Sequence, residues 1–301
     1  MCIRDSPKAV IHINTMKYTK LTLAALAAAT MTAQAEIALS DELSLSGYID
    51  FYAYESESDD DFETSAYEVE LAFAFDQGGP VTAVAELSFD GTNANFETVT
   101  ATYAASDELS FSIGNILSYQ GFETYDATGL YQFSYQGLGP VYSAGYAVGA
   151  SADYSTDDYA LGFWIGQTDA EASIELFAQY TGIEGLTATA VYANDPGYET
   201  VNLWAAYEVG DFTFAAEYTT TDYDGGAELD ALMGLVYYGY GDAGLTVRYS
   251  DIDYNGVDYT KLTISPSYAV TEDLFALAEV SFSDFGGAEV TEYAAEVIYT
   301  F

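Results

Sequence analysis

From Leu43 to Phe301 apolar and polar residues alternate with a period of two, in segments of about 9 to 11 residues separated by Gly, Asn, Asp and Pro. The last segment is the clearest: Tyr293, Ala295, Val297, Tyr299 and Phe301 fall on one face, and Glu292, Ala294, Glu296, Ile298 and Thr300 on the other. The same split separates Tyr67, Val69, Leu71, Phe73 and Phe75 from Glu68, Glu70, Ala72 and Ala74. It recurs in Phe212, Phe214, Ala216 and Tyr218 against Thr213, Ala215, Glu217 and Thr219. One face suits lipid and the other water. The pattern predicts sixteen strands, over 42–54, 64–75, 80–89, 95–104, 108–114, 140–153, 157–167, 172–180, 185–193, 199–208, 211–220, 228–238, 243–250, 257–268, 273–283 and 290–301, with fourteen and eighteen left open. Tight turns at 76–79, 106–107, 209–211 and 271–272 each follow an even-numbered strand, as an even-stranded closed barrel requires.

A soluble β-sandwich also alternates, so three further features carry the distinction. Aromatics end the apolar rows at Phe75, Phe89, Tyr103, Tyr207, Tyr218, Phe282, Tyr299 and Phe301, where interfacial girdles would meet lipid headgroups. The strands are long enough for a tilted crossing of the hydrocarbon core. Tight connections alternate with longer ones. The fold expected is therefore an all-β, transmembrane antiparallel barrel of about 16 strands. An open edge in lipid would leave backbone groups unsatisfied at several kcal/mol each, so the sheet must close. At this width side chains do not fill the interior, which should hold water.

The charge is lopsided: 48 Asp+Glu against 6 Lys+Arg among 301 residues. Of the acids only Asp5 precedes Glu36, whereas Arg4, Lys8, Lys17 and Lys20 all do, which leaves Arg248 and Lys261 as the only basic residues beyond. A nucleic-acid partner is excluded by that balance. With 29 Tyr and 17 Phe the chain is not an acidic disordered tail either. Residues 16–35 read as a signal peptide: Lys17 and Lys20 precede the apolar run 21–29, and Ala33-Gln34-Ala35 offers a cleavage site before Glu36. Residues 1–15 precede it as a non-native or mis-started leader, and 36–301 forms the barrel. Cys2 and His12, the only Cys and His, fall in that leader. The remaining chain has no Cys/His or Ser/His/Asp nucleophile system, no disulfide and no zinc or haem ligands of the usual types. No catalytic residues, cofactor or metal site are assigned, and an enzyme is not expected, although acidic loops offer weak divalent-cation binding.

The export segment, the alternating strands and the terminal Tyr299-Thr300-Phe301 together resemble a Gram-negative outer-membrane porin. More narrowly, Phe111-Ser112-Ile113-Gly114-Asn115, Tyr119-Gln120-Gly121-Phe122-Glu123 and Gly139-Pro140-Val141-Tyr142 resemble the OmpL-like porins. The resemblance implies residence in the bacterial outer membrane, and assembly through the barrel-assembly machinery with Tyr299 and Phe301 as the signal. It also implies contact with lipid and lipopolysaccharide, a homotrimer, and passive diffusion of small hydrophilic solutes. It further implies that the longest connection, Asn115 to Gly139, is a third outer loop folded inward. Glu123 and Asp126 are then its acidic constriction, with Tyr119, Phe122, Tyr125 and Tyr131 packing it on the wall. A loop lying outside the barrel, or in a subunit contact, is the alternative.

If the apolar rows face lipid, the pore lining comprises Asp50, Glu68, Glu70, Glu86, Glu175, Glu208, Glu217, Arg248, Lys261, Glu279, Glu292 and Glu296. A passage lined by one sign concentrates counter-ions, so cations should be preferred, less so in high salt or in acid. Asp251-Ile252-Asp253-Tyr254-Asn255-Gly256 matches half a calcium loop, but Leu262 stands where the bidentate Glu belongs, and Asn255-Gly256 reads better as a hairpin turn. The acidic run 55–61, centred on Asp59-Asp60-Asp61, reads as a solvated outer loop to which divalent cations could bridge lipopolysaccharide. A non-conducting structural or adhesive barrel, and a soluble secreted β-protein, are the competing readings.

Overall fold

The computed structural model describes residues 36–57, 63–123, 126–137, 141–142, 145–168 and 171–301. Residues 1–35, read from the sequence as a leader and signal peptide, and Asp59-Asp60-Asp61, Tyr125 and Gly139 lie outside the described residues. A two-residue strand, β1 (Ile37–Ala38), pairs back on the start of β2. The barrel then comprises β2 (Leu43–Ser56), β3 (Glu63–Asp76), β4 (Val81–Phe89), β5 (Ala94–Ala104), β6 (Leu109–Leu117), β7 (Tyr146–Ser155), β8 (Tyr159–Thr168) and β9 (Glu171–Ile183). It continues through β10 (Leu186–Asp195), β11 (Tyr198–Val209), β12 (Phe212–Tyr223), β13 (Glu228–Tyr240), β14 (Ala243–Tyr254), β15 (Val257–Ala269), β16 (Leu274–Phe285) and β17 (Ala288–Thr300). Each strand from β2 onward pairs antiparallel with its successor, and β17 returns to β2, with Glu292 opposite Ser56 and Thr300 opposite Tyr48. Phe301 completes the seam: its N–H donates to the Gly47 carbonyl at 3.0 Å, and the Gly47 N–H donates to the Phe301 carbonyl at 2.8 Å. The sixteen predicted strands are the sixteen strands of a closed barrel.

The two sides of the sheet invert the usual order of a folded protein. Outward rows carry Phe96 (65% exposed), Ile113 (66%), Val148 (66%) and Leu232 (56%), while Arg248, Asn202, Thr263 and Ser265 are wholly enclosed. Water on the outside would leave that apolar belt unburied; hydrocarbon outside and a polar interior satisfy both faces. Aromatics mark the belt's edge, as in Phe212 and Tyr238, whose rings lie 4.6 Å apart, and Tyr299 and Phe301, 6.0 Å apart.

Between β14 and β15 Asn255 (φ 54°) and Gly256 (φ 81°) form a two-residue turn in which both residues take positive φ, the type I′ requirement. The Asp253 carboxylate accepts from the Gly256 N–H at 2.6 Å, so this acidic stretch closes a hairpin. The prediction missed at one strand. Its sixth strand, placed at 140–153, begins at Tyr146, and the long connection spans 118–145 instead of 115–139. Residues 115–117 remain in register with β7, where Leu117 faces Tyr146, and Val141 and Tyr142 leave the sheet to pack against Ala231, Ile252 and Tyr259.

The pore interior and its loop as candidate functional site

The connection after β6 runs across the barrel interior and is tied to wall side chains from several strands. Lacking a ladder partner, its backbone N–H groups are taken by the inward carboxylates and amides of the wall, as buried donors demand. Glu175 on β9 accepts from Ser118 Oγ (2.6 Å) and the Tyr119 N–H (2.9 Å). Asn202 on β11 accepts from the Gly121 N–H (3.0 Å), Glu217 on β12 from the Phe122 N–H (2.9 Å), and Glu279 on β16 from the Ser134 N–H (3.0 Å). Thr246 on β14 donates to the Tyr131 carbonyl at 2.7 Å. Aromatic contacts fill the spaces between: Tyr119 lies 5.1 Å from Phe177, Phe122 5.6 Å from Trp204, and Tyr131 5.1 Å from Tyr237. A single 3₁₀ turn, Ala127–Gly129, is the loop's only regular element among the described residues. At Gly121 the backbone sits at φ 99° with the Tyr142 ring where a Cβ would stand, so no other residue fits.

Arg248 is the main clamp. Fully enclosed on β14, its guanidinium pairs with Glu123 and donates to the carbonyls of Ser134 (2.7 Å) and Tyr135 (2.5 Å), and to Thr263 Oγ1 (3.2 Å). Glu123 also accepts from Gln132 Nε2 (2.7 Å), and its carbonyl accepts from the Tyr142 hydroxyl. The Glu123 carboxylate, expected to line a constriction, is therefore neutralised and turned into the wall.

The other lining candidates divide by what they touch. Asp50, Glu68, Glu279, Glu292 and Glu296 border a cavity of about 380 Å³ together with Lys261, whose Nζ stands 3.5 Å from Glu292 Oε2. Glu175, Glu217 and Glu279 hold the loop, and Glu217 accepts in addition from Asn202 Nδ2 (2.7 Å) and Gln136. Glu175 also borders a second cavity of about 240 Å³ with Asp195 and Trp164. Glu70 and Glu86 turn inward beside Glu97 and Asp126. Glu208 sits exposed near the end of its strand, within electrostatic reach of Tyr131 in the loop. Burial, then the nearby Glu86, Glu97 and Glu68, push the Asp126 carboxyl in the loop up to about 7.

Asn202, Asp153 and Glu97 were not among the sequence candidates. Asn202 shares the inward row of β11 and was readable by parity; Asp153 accepts from the Tyr119 hydroxyl at 2.5 Å. Glu97 was not readable. Alternation back from Tyr103 puts it outside, but the β4–β5 register slips between Ala85 and Leu87, so Ala85 faces Val99 while Leu87 faces Phe96. The extra β5 residue is a β-bulge, and it turns Glu97 inward alongside Thr98.

A closed, sixteen-stranded, apolar-skinned barrel with a charged interior and a loop crossing it is the architecture of an outer-membrane channel. The Gram-negative porin family model matches residues 22–301, and the chain belongs to that family. It is a non-enzymatic channel protein of the bacterial outer membrane, from a family that works without a cofactor. The broader of the two sequence resemblances is the one this match carries. Among solved structures it is similar to a loop-deleted form of OmpT, an outer membrane protein of Vibrio cholerae (TM-score 0.70, 14% identity, 86% of this chain and 99% of that one). It is equally similar to an anion-selective porin from Comamonas acidovorans (TM-score 0.70, 14% identity, 86% and 99%). A mutant Rh. blastica porin follows (TM-score 0.62, 16% identity, 86% and 100%). No curated protein matches the sequence.

Proposed function

We propose that this porin is a cation-preferring channel for passive diffusion of small hydrophilic solutes, with the 118–145 loop narrowing the passage. One observation carries the reading: of the two basic residues beyond Glu36, Arg248 is consumed by Glu123 and loop carbonyls, and Lys261 is surrounded by Glu279 and Glu292 at a cavity that also presents Asp50, Glu68 and Glu296. No free positive wall remains among the described residues to attract anions. A passage of one sign between low-dielectric walls enriches the opposite ion. The neighbour from Comamonas acidovorans is described as anion-selective; the reading proposed here rests on this chain's own lining charge and not on the shared fold.

A form of OmpT described as a trimer makes a homotrimer the assembly to test. Recognition of Tyr299 and Phe301 by the barrel-assembly machinery, and packing of the outer rim against lipopolysaccharide, belong to the same reading. The deciding experiment is single-channel recording in a planar bilayer with the reversal potential taken across a tenfold KCl gradient. Discrete open steps and a cation-selective potential are expected, fading as salt rises from 0.1 M, where the Debye length is about 10 Å, to 1 M, where it is about 3 Å. An anion-selective potential overturns the charge argument. Folded, inserted protein without conductance overturns the channel reading in favour of a structural barrel.

A further inference from the structure

The larger cavity, of about 380 Å³, lies between loop residues 127–137 and the wall formed by β2, β3, β15, β16 and β17. Two kinds of group line it. The acids are Asp50, Glu68, Glu279, Glu292 and Glu296, and Lys261 is the only base among them. Asp50 and Glu296 hydrogen-bond to each other and so share one proton, which still leaves acid in excess of base. The rings are Tyr52 and Tyr54 on β2 and Phe133 in the loop. The Phe133 centroid lies 5.2 Å from that of Tyr52 and 6.1 Å from that of Tyr54.

Strand period and loop clamp together fix these rings. Asp50, Tyr52 and Tyr54 are spaced by two, so one face of β2 presents all three to the cavity. In the β17–β2 ladder Tyr52 stands directly opposite Glu296, at the spacing where cross-strand side chains interact. The Tyr54 hydroxyl donates to Glu292 at 2.5 Å. Each β2 ring is thus held beside a carboxylate. Phe133 is placed from the other side. Gln132 before it donates to Glu123, while the Ser134 N–H after it donates to Glu279 and the Ser134 carbonyl accepts from Arg248. With both neighbours anchored, the ring between them is committed to the β2 tyrosines. Repelling anions would need only the acids. A ring beside an acid does something more: an organic ammonium can pair its charge with the carboxylate while its alkyl groups lie on the ring face.

Resting on the cation-preferring reading above, we propose that Tyr52, Tyr54 and Phe133 make this cavity a selectivity site for organic ammonium solutes, which the rings hold together with Glu292 and Glu296. Charge draws any cation to the cavity, and the rings distinguish among those that arrive. A potassium ion keeps its water and gains little from a ring face. A quaternary ammonium spreads its charge over methyl groups, is weakly hydrated, and gains from every ring it touches. Lys261 is engaged with Glu292, so Glu296 beside Tyr52 is the acid that no salt bridge reaches. The volume is ample for a trimethylammonium group.

The test records protein extracted from outer membranes in a planar bilayer at about 0.1 M KCl, where surface charge is still felt. Choline is the probe, and its neutral carbon isostere, with a tert-butyl group in place of the trimethylammonium, is the control. Choline should lower the potassium current along a saturating curve, and the isostere should not at the same concentrations. Tyr52→Leu and Phe133→Leu should each raise the half-blocking choline concentration at least about fivefold. Tyr52→Phe keeps the ring and should block as wild type does; so should Tyr240→Leu, which removes an exposed ring from the outer face of β13. Heat-shifted gel mobility shows which variants fold, and if a leucine variant does not, the wild-type comparison of choline with its isostere decides alone. Equal action of the two probes refutes the site, as does a folded leucine variant with wild-type block. The KCl-gradient potential separates this failure from that of the charge reading. A cation-selective channel indifferent to choline loses only the ring site, whereas an anion-selective one overturns both.

Discussion

Replacing Arg248 with methionine tests the loop clamp most directly. The guanidinium is wholly enclosed and its partner, Glu123, is 3% exposed at the side chain, so the variant leaves a buried carboxylate facing carbonyls with only Gln132 as donor. Breaking a buried pair from one side costs about 3–5 kcal/mol. The barrel ladder does not depend on Arg248, so that cost falls on the equilibrium between the docked and released loop. At about 1.4 kcal/mol per decade it makes release about 10²- to 4 × 10³-fold more frequent. The Gly121 and Phe122 amides, bonded to Asn202 and Glu217, report that equilibrium through hydrogen–deuterium exchange. Peptides covering residues 118–123 should exchange faster by that factor, strand peptides should not change, and single-channel traces should show added flicker. The double variant Arg248→Met with Glu123→Gln removes the stranded charge and should recover most of the protection. Unchanged exchange in Arg248→Met, or no recovery in the double variant, would refute the clamp.

Three other outcomes follow from the same geometry. Lys261→Glu removes the one basic residue bordering the larger cavity and should move the reversal potential further toward the cation limit, whereas Glu292→Lys should move it back. Deleting Phe301 removes both seam hydrogen bonds to Gly47, at about 0.5–1.5 kcal/mol each, and should slow formation of the heat-resistant form when the chain is refolded into detergent. Gly256→Ala forces a Cβ into the positive-φ half of the β14–β15 turn and should destabilise that hairpin by about 1 kcal/mol, read as lower exchange protection at 250–260 with conductance unchanged.

Strands were legible because lipid and water sort residues along them wherever the ladder is unbroken: Tyr293, Val297 and Tyr299 are outside, Ala294, Glu296 and Ile298 inside. Inward charge followed by parity for Asp50, Glu70, Glu217 and Arg248. Parity says which way a side chain points but not what crosses the interior to meet it. Glu175, Glu217 and Glu279 read as free lining for that reason, although loop amides occupy them. Glu97 was lost to a single inserted residue, which alternation registers only as noise. The start of β7 was misplaced because Val141 and Tyr142 are apolar for an interior contact, and an apolar pair looks the same in either setting.

Every strand of the barrel pairs with its neighbour in sequence except at the β17–β2 seam. The crossing loop, by contrast, leaves the chain after β6 and is anchored on β9, β11, β12, β14 and β16. All five of these anchoring strands follow the loop in sequence. The ladder is made of pairings between strands adjacent in sequence, and the loop's docking of contacts to strands far along the chain, so what occupies the centre is held by the contacts that cost the most loop closure.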